Sequence, residues 1–287
     1  MRRNVLVRKK NIKLTSVNLL SDASFTIWTG MDAVRGDIKQ TDYALTGDFL
    51  AGRLRNQLSM DDLRYIEGLI ERVEQHNDGT RILERGRLTD HSTILVSGFI
   101  FRTIEDGDKR FITGVHVPGD FVDLHAFALK RLDHNIDAAG PVKIGYVSHA
   151  ALRKVMEERP GVARAMWFAT LLDAAIHRIW IQTLEQLDAP RRIAHRYSEL
   201  NARLELIGRK ANRTLRTPFT QFDMADMCGV SAIHANRAVG KLREMELAEI
   251  RRGDLYTSDW AALRRYAQFE PDYLYGDGTL KVQEDWD

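Results

Sequence analysis

Cysteine is almost absent from this chain: one thiol, Cys228, in 287 residues. A single cysteine forms no internal disulfide and cannot build a centre that needs several thiolates, such as a four-cysteine iron–sulfur cluster. Long apolar runs are missing as well. No stretch approaches the roughly 18 uncharged apolar residues of a membrane-spanning helix, and the opening Met1-Arg-Arg-Asn-Val-Leu-Val-Arg-Lys-Lys has no apolar core behind its basic residues, as a secretory leader would. A cytoplasmic protein with no membrane partner is expected. Nor is there a large charge of one sign. With 42 Lys and Arg against 40 Asp and Glu the formal net charge is +2, so any attraction to nucleic acid must come from local clustering. The length suits two compact domains with connections.

What is present changes texture along the chain. Residues 1–53 show no sustained period of 3.6 or 2 and read as a poorly ordered extension, native or the product of a translation start placed too early. Ser59-Met-Asp-Asp62 then resembles a capping box, and Leu63, Ile66 and Ile70 recur at helical spacing. From about Arg81 to Val147 short apolar runs (Ile94-Leu-Val, Phe99-Ile-Phe, Phe111-Ile-Thr-Gly-Val, Phe121-Val, Ile144-Gly-Tyr-Val147) alternate with turn residues at Ser97-Gly98, Asp106-Gly107 and Pro118-Gly119. This is the pattern of a compact antiparallel sandwich, roll or barrel. After His149 the pattern becomes helical. Met166, Ala169, Asp173, Ile176, Trp180, Leu184 and Leu187 step by three and four along a proline-free stretch, a stripe suited to a homodimer seam. Phe168, Leu171, Leu172, Ile179 and Ile181 make the neighbouring faces apolar too, so one face is expected to cover its own domain and another a partner. Asp188-Ala-Pro190 opens a further helix that Gly208 stops, and the basic stretch Arg209 to Arg216 is expected to form a hairpin.

The segment 220–243 carries the most information. Thr220 can cap a helix with Asp223 three positions on, and Gly229 suits its left-handed end. Ser231 caps a second helix with Ala235, Ala238, Val239 and Leu242 on its inner side. A short helix, a glycine turn and a capped second helix make a helix-turn-helix. The outward positions of the second helix are Ala232, His234, Asn236, Arg237 and Lys241. Arginine suits bidentate contact with guanine and asparagine with adenine. Leu247-Ala-Glu-Ile250 and Leu255-Tyr-Thr257 flank Arg251-Arg-Gly-Asp254 as a hairpin wing, its Arg251 and Arg252 beside the DNA backbone. Thr220, Gln221 and Ser231 complete the expected DNA-contacting set.

Taken together, Val96-Ser-Gly98, Val117-Pro-Gly-Asp-Phe121, Thr220-Gln-x-x-Met-Ala-Asp-Met-x-Gly-Val-Ser231 and Asn236-Arg237 resemble the Crp/Fnr regulators from about Leu54 to Phe269. His234-Ala-Asn-Arg237, with Asp120-Phe-Val-Asp-Leu-His125 and the end from Asp259-Trp260 to Leu274, looks like a branch common in alphaproteobacteria. The resemblance implies an α+β fold: a cyclic-nucleotide-binding-like β-roll at 54–160, a dimerisation helix at 161–187, a winged helix-turn-helix at 188–269 and a C-terminal tail at 270–287. It implies a dimeric transcription regulator on pseudo-palindromic double-stranded DNA, with RNA polymerase as a partner, and no enzyme.

Departures from the family pattern concern the effector. Where cyclic-nucleotide-binding relatives continue with Gly-Glu-Leu, this chain has Val122-Asp-Leu124, and the phosphate-neutralising Arg-Ser/Thr-Ala falls near Arg131-Leu-Asp-His134. Val122, Asp123, Leu124, Arg131, Asp133 and His134 are therefore the candidate effector-pocket residues. Asp123 would repel a phosphate there. No cofactor is expected, cyclic nucleotide and haem staying open as alternatives. His116, His125, His134 and His149 match no compact set of metal ligands, and Cys228 suits a small core position. At Ile233 other members place a glutamate that accepts from cytosine, so a different operator is expected. The rival reading is a ligand- or metal-binding β-barrel, enzyme or sensor, with Asp123, His125 and His134 inside and a winged domain that serves protein contacts.

Overall fold

A computed structural model describes residues 42–276. Ser59 caps α1 (Met60–Gly68) by accepting from the Asp62 amide at 3.1 Å, as its position before an apolar repeat predicts. A five-stranded antiparallel sheet follows, in the order β1 (Arg72–His76), β5 (Asn135–Ser148), β3 (His91–Asp106), β4 (Lys109–His116), with β2 (Arg81–Leu83) also on β5. Ile100 lies opposite Ala138 on one side and His116 on the other. The Asp106-Gly107 turn joins β3 to β4, and Pro118-Gly119 turns the chain after β4. Ser97-Gly98 is not a turn between two strands, as its composition suggests. It lies in a register irregularity inside the single long strand β3, where Gly98 (φ 89°) passes so close to Pro141 that a Cβ would sit 2.4 Å from the carbonyl oxygen. Phe121 makes only an isolated bridge to Ile94.

The short α2 (Ala126–Leu129) precedes β5, and α3 (His149–Glu158) leads to the 27-residue α4 (Pro160–Gln186). Asp188 caps α5 (Ala189–Leu206) by accepting from the Arg191 amide. The expected hairpin over Arg209 to Arg216 is instead one edge strand, β6 (Thr214–Leu215), paired with β8 (Asp254–Tyr256), which pairs in turn with β7 (Glu249–Arg251). Between β6 and β7 lie α6 (Gln221–Cys228) and α7 (Ala232–Glu244), and α8 (Trp260–Tyr266) closes the domain.

Two boundaries move. Of the expected extension, residues 1–41 lie outside the described part, but 42–53 pack firmly. Phe49 is buried edge-on against Phe121, Glu67 accepts from the amides of Leu45 and Thr46, and Arg55 donates to the Thr46 carbonyl. No period marks this segment because it is a chain of turns held by tertiary contacts. At the other end, Leu274 is buried and its carbonyl accepts from Arg53 at 2.8 Å, so residues 270–276 belong to the folded body.

The stripe assigned to a dimer seam faces inward. Met166, Ile176, Trp180 and Leu187 are buried within the chain, Ala169 is half-buried, and only Leu184 is open. Asp173 is held by Arg102 of β3 at 2.5 Å. An α-helix apolar on several faces offers two stripes one residue apart, and the one that fits the roll is this one. The stripe left outside is Trp167, Leu171, Ala174, Arg178 and Ile181, at the same alternating spacing of four and three; Trp167, Leu171 and Ile181 are 67%, 53% and 69% exposed.

The core runs on from roll to C-terminal domain. Phe101 and Val115 of the sheet, Trp180 of α4, and Ile193, Phe219, Leu242 and Leu255 belong to one buried cluster.

Candidate nucleic-acid interface

The helix-turn-helix forms from local signals. Thr220 and Asp223 make a reciprocal capping box at the start of α6, the Thr220 hydroxyl accepting from the Asp223 amide and the carboxylate from the Thr220 amide. Gly229 ends the helix at φ 61°, a left-handed conformation that a side chain resists. Ser231 caps α7 by accepting from the His234 amide. Ala235, Ala238 and Leu242 of α7 are buried and Val239 is half-buried, the inner face the spacing predicts.

The opposite face is open. Ile233, His234, Asn236, Arg237 and Lys241 are exposed and Ala232 is half-buried. Arg237 and Asn236 have no partner among the described residues, so their donors are available. Thr220, Gln221 and Ser231 are exposed beside this face, but the hydroxyls of Thr220 and Ser231 already serve as caps, and Gln221 donates weakly to the Ala232 carbonyl at 3.4 Å. The wing turn is Arg252-Gly253, with both residues at positive φ (52° and 90°), which suits a tight hairpin between right-twisted strands. The Gly253 carbonyl accepts from the hydroxyls of Tyr197 and Thr217, both at 2.8 Å. Arg251 and Arg252 are exposed, Arg251 paired with Glu249. Arg213 and Arg216, which flank β6, are also exposed and add positive charge that the sequence reading did not assign.

The α6 helix is fixed from the roll. Arg110 of β4 pairs with both Asp223 and Asp226, and Phe219 packs edge-on against Phe99 and tilted against Phe101. Arg203 of α5 donates to the Val115 carbonyl at 2.7 Å and pairs with Asp120. Cys228 is buried in this domain, and burial pushes its thiol up to about 11, so it stays protonated.

The six effector-pocket candidates are divided between buried and exposed positions. Asp123 is buried and accepts from the Thr93 amide and hydroxyl; burial raises its carboxyl to about 6. Val122 is buried and Leu124 half-buried. Arg131 is exposed, and Asp133 is exposed and paired with the buried His134 at 2.7 Å. His125 and His134 stand with ring centres 5.3 Å apart. Among the described residues no group of three or more His, Cys, Asp or Glu could hold a metal ion. Sequence reasoning missed Arg102, the buried guanidinium that donates to the Val122 carbonyl at 3.0 Å and grips Asp173. Burial works against charge on Asp173, but Arg102 overrides this and holds the carboxyl down at about 2.

Residues 191–266 match the family model of the Crp-like helix-turn-helix domain. No curated protein sequence matches the chain. Among solved structures, FixK2 from Bradyrhizobium japonicum superposes with a TM-score of 0.62 at 18% identity, over 68% of this chain and 96% of that one. A CRP/FNR-family transcriptional regulator from Thermus thermophilus gives 0.57 at 15% identity, over 69% and 99%. The c-di-GMP-responsive global regulator CLP of Xanthomonas campestris gives 0.54 at 14%, over 70% and 100%. At such identities these likenesses show the fold. Residues 191–266 are thus a Crp-like helix-turn-helix domain, and the described chain shares its fold with these proteins over nearly their whole length.

Proposed function

We propose that two copies of this chain form a transcription regulator that binds a pseudo-palindromic site on double-stranded DNA, with one α7 in the major groove of each half-site. The observation that carries this reading is the open polar face of a firmly capped α7, with Arg237 and Asn236 unengaged, inside a Crp-like helix-turn-helix. Arg237 is assigned to guanine, Asn236 to adenine, and Lys241, Arg251 and Arg252 to phosphates. Half-sites would lie about one helical turn, roughly 34 Å, apart.

The dimer seam is the outer stripe of α4: Trp167, Leu171, Ala174 and Ile181. Three large apolar side chains exposed in one line on a long helix are what a second copy of that helix would bury. RNA polymerase is the partner this reading implies at a promoter, and the cytoplasm its location; no helix among the described residues is long and apolar enough to cross a membrane. The roll supplies a frame for the reading heads, and no catalytic role is assigned to it.

The test is selection from a genomic fragment library by the purified protein at two salt concentrations, without added ligand. Enrichment of a palindrome that Arg237→Ala abolishes supports the reading. An enriched site indifferent to Arg237 would remove α7 as the reading element.

A further inference from the structure

We propose that Ile233 reads the 5-methyl group of a thymine, next to the base contacted by Arg237; this rests on the DNA-binding reading above. Ile233 is the second residue of α7 and is 70% exposed. The core does not need it, because Ala235, Ala238 and Leu242 already fill the inner face. It stands four residues before Arg237, so the two side chains are neighbours on one face, a turn apart, and the row continues to Lys241.

An isoleucine can neither donate nor accept a hydrogen bond. In the major groove, the thymine methyl is the apolar feature that distinguishes one base pair from the others. The first turn of a recognition helix is where side chains meet base edges. A β-branched side chain on a helix is nearly fixed at χ1, so Ile233 holds its methyl groups in place before DNA arrives. Phe222, in the first turn of α6, is likewise 69% exposed, and Gln221, the residue before it, reaches the Ala232 carbonyl across the turn. Ile233 and Phe222 are thus large exposed apolar side chains in a motif whose other outward positions on α7 are mainly polar.

The test uses the site selected by the full-length protein. Each thymine is replaced in turn by deoxyuridine, which removes the methyl and leaves pairing intact, and binding is measured for the parent protein and for Ile233→Ala. Ile233 is exposed, so the variant should fold; far-UV circular dichroism checks this. One thymine per half-site should weaken parent binding about four-fold per half-site when demethylated, the worth of one buried methyl-sized group, and leave Ile233→Ala unaffected. Equal losses for the two proteins at every thymine, or no thymine in the selected half-site, would overturn the assignment while leaving the regulator reading intact. Failure to select any site, or a site indifferent to Arg237→Ala, would instead overturn the DNA-binding reading and this assignment with it.

Discussion

Replacing Leu171 and Ile181 together by glutamate should split the proposed dimer without unfolding the chain. Full burial of a leucine or isoleucine side chain is worth about 1.5–3 kcal/mol. At 53% and 69% exposure, Leu171 and Ile181 can still gain about 3 kcal/mol per protomer, and about 6 kcal/mol for a symmetric pair. Losing that, and setting like charges face to face, should weaken dimerisation by about four decades in Kd. Sedimentation equilibrium over a wide dilution range reads this directly. The contrasting variant is Ile176→Ala, on the inward stripe. It leaves a cavity in the core and should cost about 2–4 kcal/mol of unfolding free energy with little effect on the dimer constant. A glutamate pair that dimerises as tightly as the parent, together with an Ile176→Ala protein that dissociates, would refute the assignment of the two faces.

Lys241→Ala should weaken binding uniformly across sequences and lower the slope of log K against log salt by about 1, as the loss of one phosphate contact does; a changed sequence preference would show base reading instead. Gly253→Ala should destabilise the protein by about 3 kcal/mol, because its φ of 90° disfavours a side chain and the new Cβ would meet the Phe219 carbonyl oxygen at 2.2 Å; chemical denaturation measures it. Acid should weaken the fold below pH about 6.5. Burial lowers His116 and His195 to about 4, so the unfolded chain takes up protons that the folded one refuses, and stability drops as pH falls from about 6.5 to about 4, on the order of 3 kcal/mol per imidazole. Asp123 acts the other way. Its carboxyl, raised to about 6, binds a proton more readily when folded, so its cost grows as pH rises from about 4 to 6, and Asp123→Asn should steepen the acid loss in that window.

The helix-turn-helix could be read residue by residue because its signals are local. Thr220 with Asp223, Gly229 and Ser231 each act on a backbone group no more than a few residues away. The orientation of α4 could not be read that way. Its apolar residues fit two stripes, and the choice between them depends on Arg102, seventy-one positions before Asp173 in the chain, and on the shape of the roll. The same holds for 42–53, whose order comes from Glu67, Arg55 and Phe121 and not from any period of its own. Ser97-Gly98 has the composition of a turn, yet the neighbouring β5 keeps the chain extended through it as an irregularity in β3. In the expected interface, Arg237, Asn236 and Lys241 follow from residue type and spacing alone; Arg213 and Arg216, read as part of a basic hairpin, instead flank β6, whose partner strand lies far downstream.

Arg110 joins two things usually considered apart. By gripping Asp223 and Asp226, and with Phe219 set against Phe99 and Phe101, it ties the helix before α7 directly to the sheet. Roll and reading domain accordingly cluster into one compact unit. In a dimer built on α4, the distance and twist between the two reading heads would then be set by the body of the protein and not by a pliable linker. Each base pair inserted between half-sites turns one of them about a tenth of a revolution around the duplex. A protein so braced cannot follow. Its operators should share a single spacer length, and the spacer, which no side chain touches, becomes as much a part of the recognised sequence as the bases under Arg237.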